Sequence, residues 1–227
     1  MPVPEEQLTI SVGEDTVTAA YDRPDSPAAA TVVVAHGAGA GMDHPFLTGF
    51  TGALNDAGAA TWRFNFPYAE AGRKFPDRAP TAIATWRAVM EAARERAGDG
   101  PVWAAGKSFG GRMASMAVAE GMEAAGLVFL GYPLHPPAKP ERLRDEHLYG
   151  LELPMLFVQG TRDTFALPGE LEPVAERIGG NAVVHRVADA DHAFKVPRDK
   201  RSQEQTGAGL AATVLEFIAS RRTHRWT

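Results

Sequence analysis

The chain has 227 residues, of which 44% are hydrophobic and 22% charged, with a formal net charge of −5 at pH 7. That size suits one domain with a full core. The acidic balance argues against a nucleic-acid binder, and no apolar run approaches the ~20 residues that span a bilayer. With no cysteine in the chain, disulfides, thiolate metal sites and a cysteine nucleophile are excluded.

The opening Met1-Pro-Val-Pro-Glu-Glu lacks the basic and apolar regions of a secretory signal, which leads us to expect a cytoplasmic protein. Leu8–Val12 and Val17–Tyr21 flank Gly13-Glu14-Asp15 and predict an antiparallel hairpin. Thr31–Ala35 is a continuous β-branched run, the composition of a strand buried on both faces. A helix follows from about Pro45 to Asp56, then a strand at Ala60–Phe64 and a loop over Pro67–Pro80. Thr81–Ala97 sets Ile83, Trp86, Met90 and Ala93 on one helical face, with Gly98 as its stop. Strands are predicted at Val102–Ala105, Leu127–Leu130, Met155–Gln159 and Ala182–Val187, with a helix after Ser108 and a short one at Leu171–Ile178. The Pro-rich piece Gly131–Pro140 has strands of the same character on both sides, so it reads as a surface loop rather than a linker. A capping box, Ser202-x-x-Gln205, opens a last helix whose apolar face is Leu210, Val214, Phe217 and Ile218, with Arg221 and Arg222 at its negative dipole end. Strands alternating with helices after a hairpin imply one α/β domain with a mostly parallel sheet covered on both faces.

The chemistry centres on Gly106-Lys107-Ser108-Phe109-Gly110, which lies between a predicted strand and a predicted helix. This is the layout of a nucleophile elbow, where a serine sits on a sharp strand-to-helix turn and flanking glycines remove side chains that would collide. Gly106-Lys107-Ser108 is not a phosphate-binding P-loop, because Pro101 stands where that loop needs its first glycine. A serine is a poor nucleophile at neutral pH and needs a histidine base oriented by a carboxylate. Chain order Ser, acid, His directs the search. Asp163 follows a predicted strand directly and is the expected acid. Of seven histidines, His192 alone lies on a loop between the last strand and the last helix, and is the expected base. His36 is expected to act as a hydrogen bonder at a loop base, His185 as a strand residue, and His224 lies in the tail. Asp191 adjoins His192, but adjacent loop side chains seldom face each other, so Asp163 is preferred.

An acyl transfer also needs donors where negative charge develops. The N–H of Phe109 supplies one, and the glycine-rich loop Ala35–Gly41 the other, at Ala38 or, beside it, Gly39. Arg73, Lys74 and Lys107 form a local cationic group that could hold an anionic part of the substrate; the competing reading is solvated loop charge balanced by Glu70 and Asp77.

His36-Gly37, Gly106-x-Ser108-x-Gly110, Asp163 and His192 together resemble the α/β-hydrolase superfamily over essentially the whole chain. Gly106–Arg112, Gly131–Pro137 and Phe157–Asp163 are similar to a small subgroup related to dienelactone hydrolases. That subgroup includes a testis-expressed protein and a subunit of a histone-acetyltransferase complex. The chain departs from dienelactone hydrolases in carrying serine where they carry cysteine. The short connector between the strands at Leu127–Leu130 and Met155–Gln159 leaves little material for a lid, so an open, shallow site is expected. The resemblance implies a serine hydrolase of small-molecule esters or thioesters that needs no metal or cofactor. The alternative is a non-catalytic scaffold of the same fold that binds a protein partner.

Overall fold

The computed structural model describes residues 5–222; His224 and the side chain of Arg222 lie outside the described part. Among these residues, eight strands form one sheet: β1 Glu6–Val12, β2 Asp15–Asp22, β3 Thr31–Ala35, β4 Ala60–Phe64, β5 Val102–Lys107, β6 Leu127–Leu130, β7 Met155–Gly160 and β8 Ala182–Val187. Their order is β1-β2-β4-β3-β5-β6-β7-β8. The β1–β2 hairpin and the β2–β4 pair are antiparallel, and every other pair is parallel. β3 lies between β4 and β5, so the chain reverses its direction of travel across the sheet there. The crevice beyond the strand ends at such a switch point is where α/β sheets place their ligands.

Among the described residues, seven α-helices accompany the sheet: α1 Pro45–Asp56, α2 Pro67–Glu70, α3 Ala79–Ala97, α4 Phe109–Ala119, α5 Pro168–Ile178, α6 Gln203–Ala208 and α7 Ala211–Arg222. Alternate residues of β3 divide between the two faces. Val33 and Ala35 pack with Trp86 and Met90 of α3 and Met113 of α4. Val32 and Val34 pack with Phe50 and Leu54 of α1 and Val214 and Phe217 of α7. This two-sided burial explains why the central strands lack polar alternation.

Two expectations are corrected. The segment after β4 is not loop throughout: Pro67 opens the short α2, and α3 begins at Ala79. The C-terminal segment forms two helices rather than one. The Ser202 capping box is present, with Ser202 Oγ accepting from Gln205 N–H at 3.1 Å and Gln205 Oε1 accepting from Ser202 N–H at 2.9 Å. The helix it opens ends at Gly209, before Leu210 enters the core.

The cause lies in how α6 meets α1. A Cβ on Gly49 would lie 2.1 Å from the Glu204 carbonyl oxygen, and one on Gly207 would lie 2.0 Å from that of Phe46. The two backbones touch where side chains are missing, and that fixes the course of α6. Gly52, also in α1, has open space where its Cβ would stand. We therefore expect Gly49→Ala to destabilise the fold by about 1–3 kcal/mol through overpacking. Gly52→Ala should stabilise it by up to about 1 kcal/mol through helix propensity. Thermal or urea unfolding of the two variants distinguishes these outcomes, and equal effects would refute the close contact.

Candidate active site

Ser108 links β5 to α4 with φ 48 and ψ −111, a left-handed backbone that non-glycine residues rarely adopt. The neighbouring glycines make the turn feasible. A Cβ on Gly106 would lie 2.2 Å from the Gly111 nitrogen, and one on Gly110 would lie 2.6 Å from the His36 oxygen. Trp86 Nε1–H donates to the Gly110 carbonyl at 3.0 Å and ties the first turn of α4 to α3.

Three predicted residues meet at this turn. Ser108 Oγ lies 2.8 Å from His192 Nε2, and His192 Nδ1 lies 2.7 Å from Asp163 Oδ2. Asp163 follows β7 and is fully buried. Gln159 Nε2–H donates to Asp163 Oδ2 at 2.6 Å, and the Phe165 N–H donates to Oδ1 at 2.9 Å. Gln159 is itself held, because its Oε1 accepts from the Tyr132 N–H at 2.8 Å. Asp191 does different work: its Oδ1 accepts from the N–H groups of Ala193 and Lys195 and shapes the turn carrying His192. A carboxylate that accepts the Nδ1–H leaves Nε2 as the acceptor facing the serine. Gly131 sits behind this group, where a Cβ would come within 3.5 Å of both Asp163 Oδ2 and His192 Cε1.

The loop after β3 approaches from the other side. His36 is buried, its Nε2 accepting from the Phe66 N–H at 3.1 Å while Nδ1 lies 2.9 Å from the Gly37 oxygen. Nδ1 therefore carries the proton, and burial depresses the basicity of the ring. The Tyr68 hydroxyl also donates to the Gly37 oxygen, at 3.1 Å, and desolvation pushes that phenol up to about 12. These contacts hold the segment bearing Ala38 beside Ser108. Among the described residues, the N–H groups of Ala38 and Phe109 have no protein acceptor.

A family model for the alpha/beta hydrolase domain matches residues 28–219. This chain belongs to the α/β hydrolase domain family. A lidless α/β serine hydrolase from Xanthomonas campestris shares the fold at TM-score 0.76 and 22% identity, over 100% of this chain and 98% of that one. A dienelactone hydrolase from Anabaena variabilis gives 0.74 at 20% identity, over 96% and 97%. A Pyrococcus furiosus esterase gives 0.73 at 14%, over 96% and 91%.

In this α/β hydrolase, Ala38, Ser108, Phe109 and His192 face a cavity of about 580 Å³. Phe46 and Leu47 contribute apolar wall from α1, and Arg112 and Arg144 contribute cationic wall. Lys107 also lines the cavity, but its Nζ donates to the His192 carbonyl at 2.6 Å and so braces the histidine loop. Desolvation lowers the Lys107 ammonium to about 8, against an opposing attraction from Asp163. Arg73 and Lys74 instead line an adjoining cleft that shares Ala40 and His44 with the cavity, and Arg73 pairs with Asp77 at 2.7 Å. Sequence reasoning missed Gln159, Arg112 and Arg144. The first carries no motif, and Arg144 joins Arg112 on the cavity wall only through the folded path of the β6–β7 connector.

Burial lowers the His192 imidazole below its usual range. The Asp163 hydrogen bond opposes that shift, and the Lys107 charge adds to it. An NMR titration should accordingly give a His192 midpoint below the reference ~6.5. Lys107→Met should move it upward by removing a neighbouring positive charge. A wild-type midpoint above the reference would contradict this electrostatic account.

Proposed function

We propose that the chain is a one-domain serine hydrolase of carboxylic esters or thioesters, with Ser108 as nucleophile, His192 as base and Asp163 as the group that orients it. The observation that carries this reading is the unbroken hydrogen-bond chain from Asp163 through His192 to Ser108, opening onto a cavity. The shared fold of the lidless serine hydrolase and the esterase supports it further.

In the first step His192 Nε2 takes the Ser108 proton as Oγ bonds to the substrate carbonyl carbon. The carbonyl oxygen becomes an oxyanion held by the N–H groups of Ala38 and Phe109, which have no competing acceptor among the described residues. Collapse of this intermediate breaks the bond to the alkoxide or thiolate, which leaves with the proton from His192. A water then repeats the sequence on the acyl-enzyme, releasing the carboxylic acid and regenerating Ser108. Gln159 and the Phe165 N–H keep Asp163 in position throughout. The groups named need no metal or cofactor for any of these steps.

A fluorophosphonate probe should label Ser108 in the folded protein, and Ser108→Ala should abolish labelling with folding unchanged. His192→Ala and Asp163→Asn should each lower kcat/KM for short-chain aryl esters by about 10³–10⁴-fold. Because His192 must be neutral to accept the proton and its basicity is depressed, activity should persist below pH 6.5 and fall only at lower pH. Well-folded protein that resists the probe would instead favour the scaffold reading.

A further inference from the structure

The catalytic cavity has an uneven charge. Among the described residues, its lining includes Lys107, Arg112 and Arg144 but no aspartate or glutamate, although the whole chain carries a net charge of −5. Lys107 is occupied by the His192 carbonyl. The two arginines are not. No hydrogen bond or ion pair joins either guanidinium to another described side chain, and the Arg112 Nε is buried without a partner.

Their surroundings hold them in this state. Arg112 stands one turn into α4, its N–H donating to the Ser108 carbonyl at 3.1 Å, so its position is tied to the nucleophile's helix. Arg144 reaches the cavity from the β6–β7 connector. There the Tyr132 hydroxyl donates to its carbonyl at 2.6 Å, and its own N–H donates to the Leu134 carbonyl at 2.8 Å. Asp145, next in sequence, is directed elsewhere and accepts from the Tyr149 hydroxyl. Both arginines line the same cavity, whose described lining holds no carboxylate, and burial and then the charge of Arg112 depress Arg144. His147 is no counter-ion: its Nε2 lies 2.8 Å from Ser115 Oγ, which in turn donates to the Arg112 carbonyl. Desolvation pushes that imidazole down to about 4, so it remains neutral.

Two uncompensated guanidiniums in a partly desolvated cavity are costly unless an anion joins them. Planar forks of this kind match the oxygens of a carboxylate or phosphate. We propose that Arg112 and Arg144 form an anion subsite that selects esters bearing a second, negatively charged oxyacid group a few bonds from the scissile carbonyl. The proposal rests on the serine-hydrolase reading of the same cavity. In the strand order, β5 separates the loop after β3 from the one after β6. The anionic end therefore lies on the side of the β6–β7 connector, and the apolar end lies against Phe46 and Leu47 of α1.

The test compares mono-4-nitrophenyl adipate with 4-nitrophenyl hexanoate, esters of matched length that differ in the terminal carboxylate. A third ester ending in a phosphonate separates the two anion chemistries. The adipate ester should show a kcat/KM about tenfold or more above the hexanoate ester, carried by KM and fading with added salt. Arg144→Gln should erase the preference, and Arg144→Lys should retain part of it. A phosphonate ester that outperforms the adipate ester assigns the subsite to phosphate-type groups and still supports it.

Equal kinetics for charged and neutral esters in active wild-type protein would overturn the subsite and leave the hydrolase reading intact. A preference that titrates away near pH 8 would assign the effect to Lys107 and also overturn it. Calorimetry on Ser108→Ala protein gives a readout without turnover. Hexanoate should bind more tightly than hexanamide, and Arg144→Gln should remove the difference. Equal binding would reject the subsite even if no ester were hydrolysed.

Discussion

The backbone at Ser108 is the constraint from which the site's arrangement follows. A non-glycine residue at φ 48 costs about 1–3 kcal/mol, and it persists only where the surroundings determine it. Here the determination comes from contact between backbones. Gly106, Gly110 and Gly111 let α4 descend onto the ends of β5 and β3, closer than any side chain would allow. The same descent places the first N–H groups of α4 at the serine and points the positive end of the helix toward it. Position 108 therefore gains exposure, orientation and a favourable field from one strained turn.

The second requirement is to keep a buried carboxylate and a histidine within reach of each other. Asp163 is fully buried, yet it receives donors from Gln159, Phe165 and His192. The His192 loop is anchored at both levels. Phe194 stacks on Phe46 in the core, and Lys107 holds the His192 carbonyl from below. Gly160 lets this loop close on β7, since a Cβ there would lie 2.2 Å from the Ala190 oxygen. Lys107 also supplies a positive charge that disfavours the imidazolium, opposing Asp163. Burial is the largest influence and acts in the same direction as Lys107, so the balance favours the neutral ring.

Much of this was legible in the sequence because local chemistry leaves local marks. The glycine spacing around Ser108, the β-branched run Thr31–Ala35 and the Ser202 capping box each report a short-range requirement, and each has its counterpart in the structure. Chain order was enough to bring Asp163 and His192 together with Ser108, because parallel strands deliver their loops to one end of the sheet. Two of the failures have one physical origin. The α6–α7 break depends on a contact between Gly207 and α1, far away in sequence, and no local signal encodes it. Gln159 was hidden for the same reason: its partners, Tyr132 and Asp163, become neighbours only when β6 and β7 pair. The cluster Arg73, Lys74 and Lys107 was conspicuous in composition, but the fold distributes it between a side cleft and a structural brace.

The β6–β7 connector shows how a lidless member of this fold can still shape its substrate pocket. It contributes a short 3₁₀ turn at Glu146–Gly150, secured by the His147–Ser115 contact to α4 and by Leu148 in the core. A connector fixed in this way cannot close over a substrate as a mobile cap would. It presents Pro133 and Arg144 to the cavity, and Arg144 is the charged one of the two. On the proposed anion subsite, selectivity is built into the resting shape, without the entropy of ordering a flap. The acidic remainder of the chain sharpens the effect, because a positive cavity within a negative surface stands out as a local field for an anion that reaches its mouth.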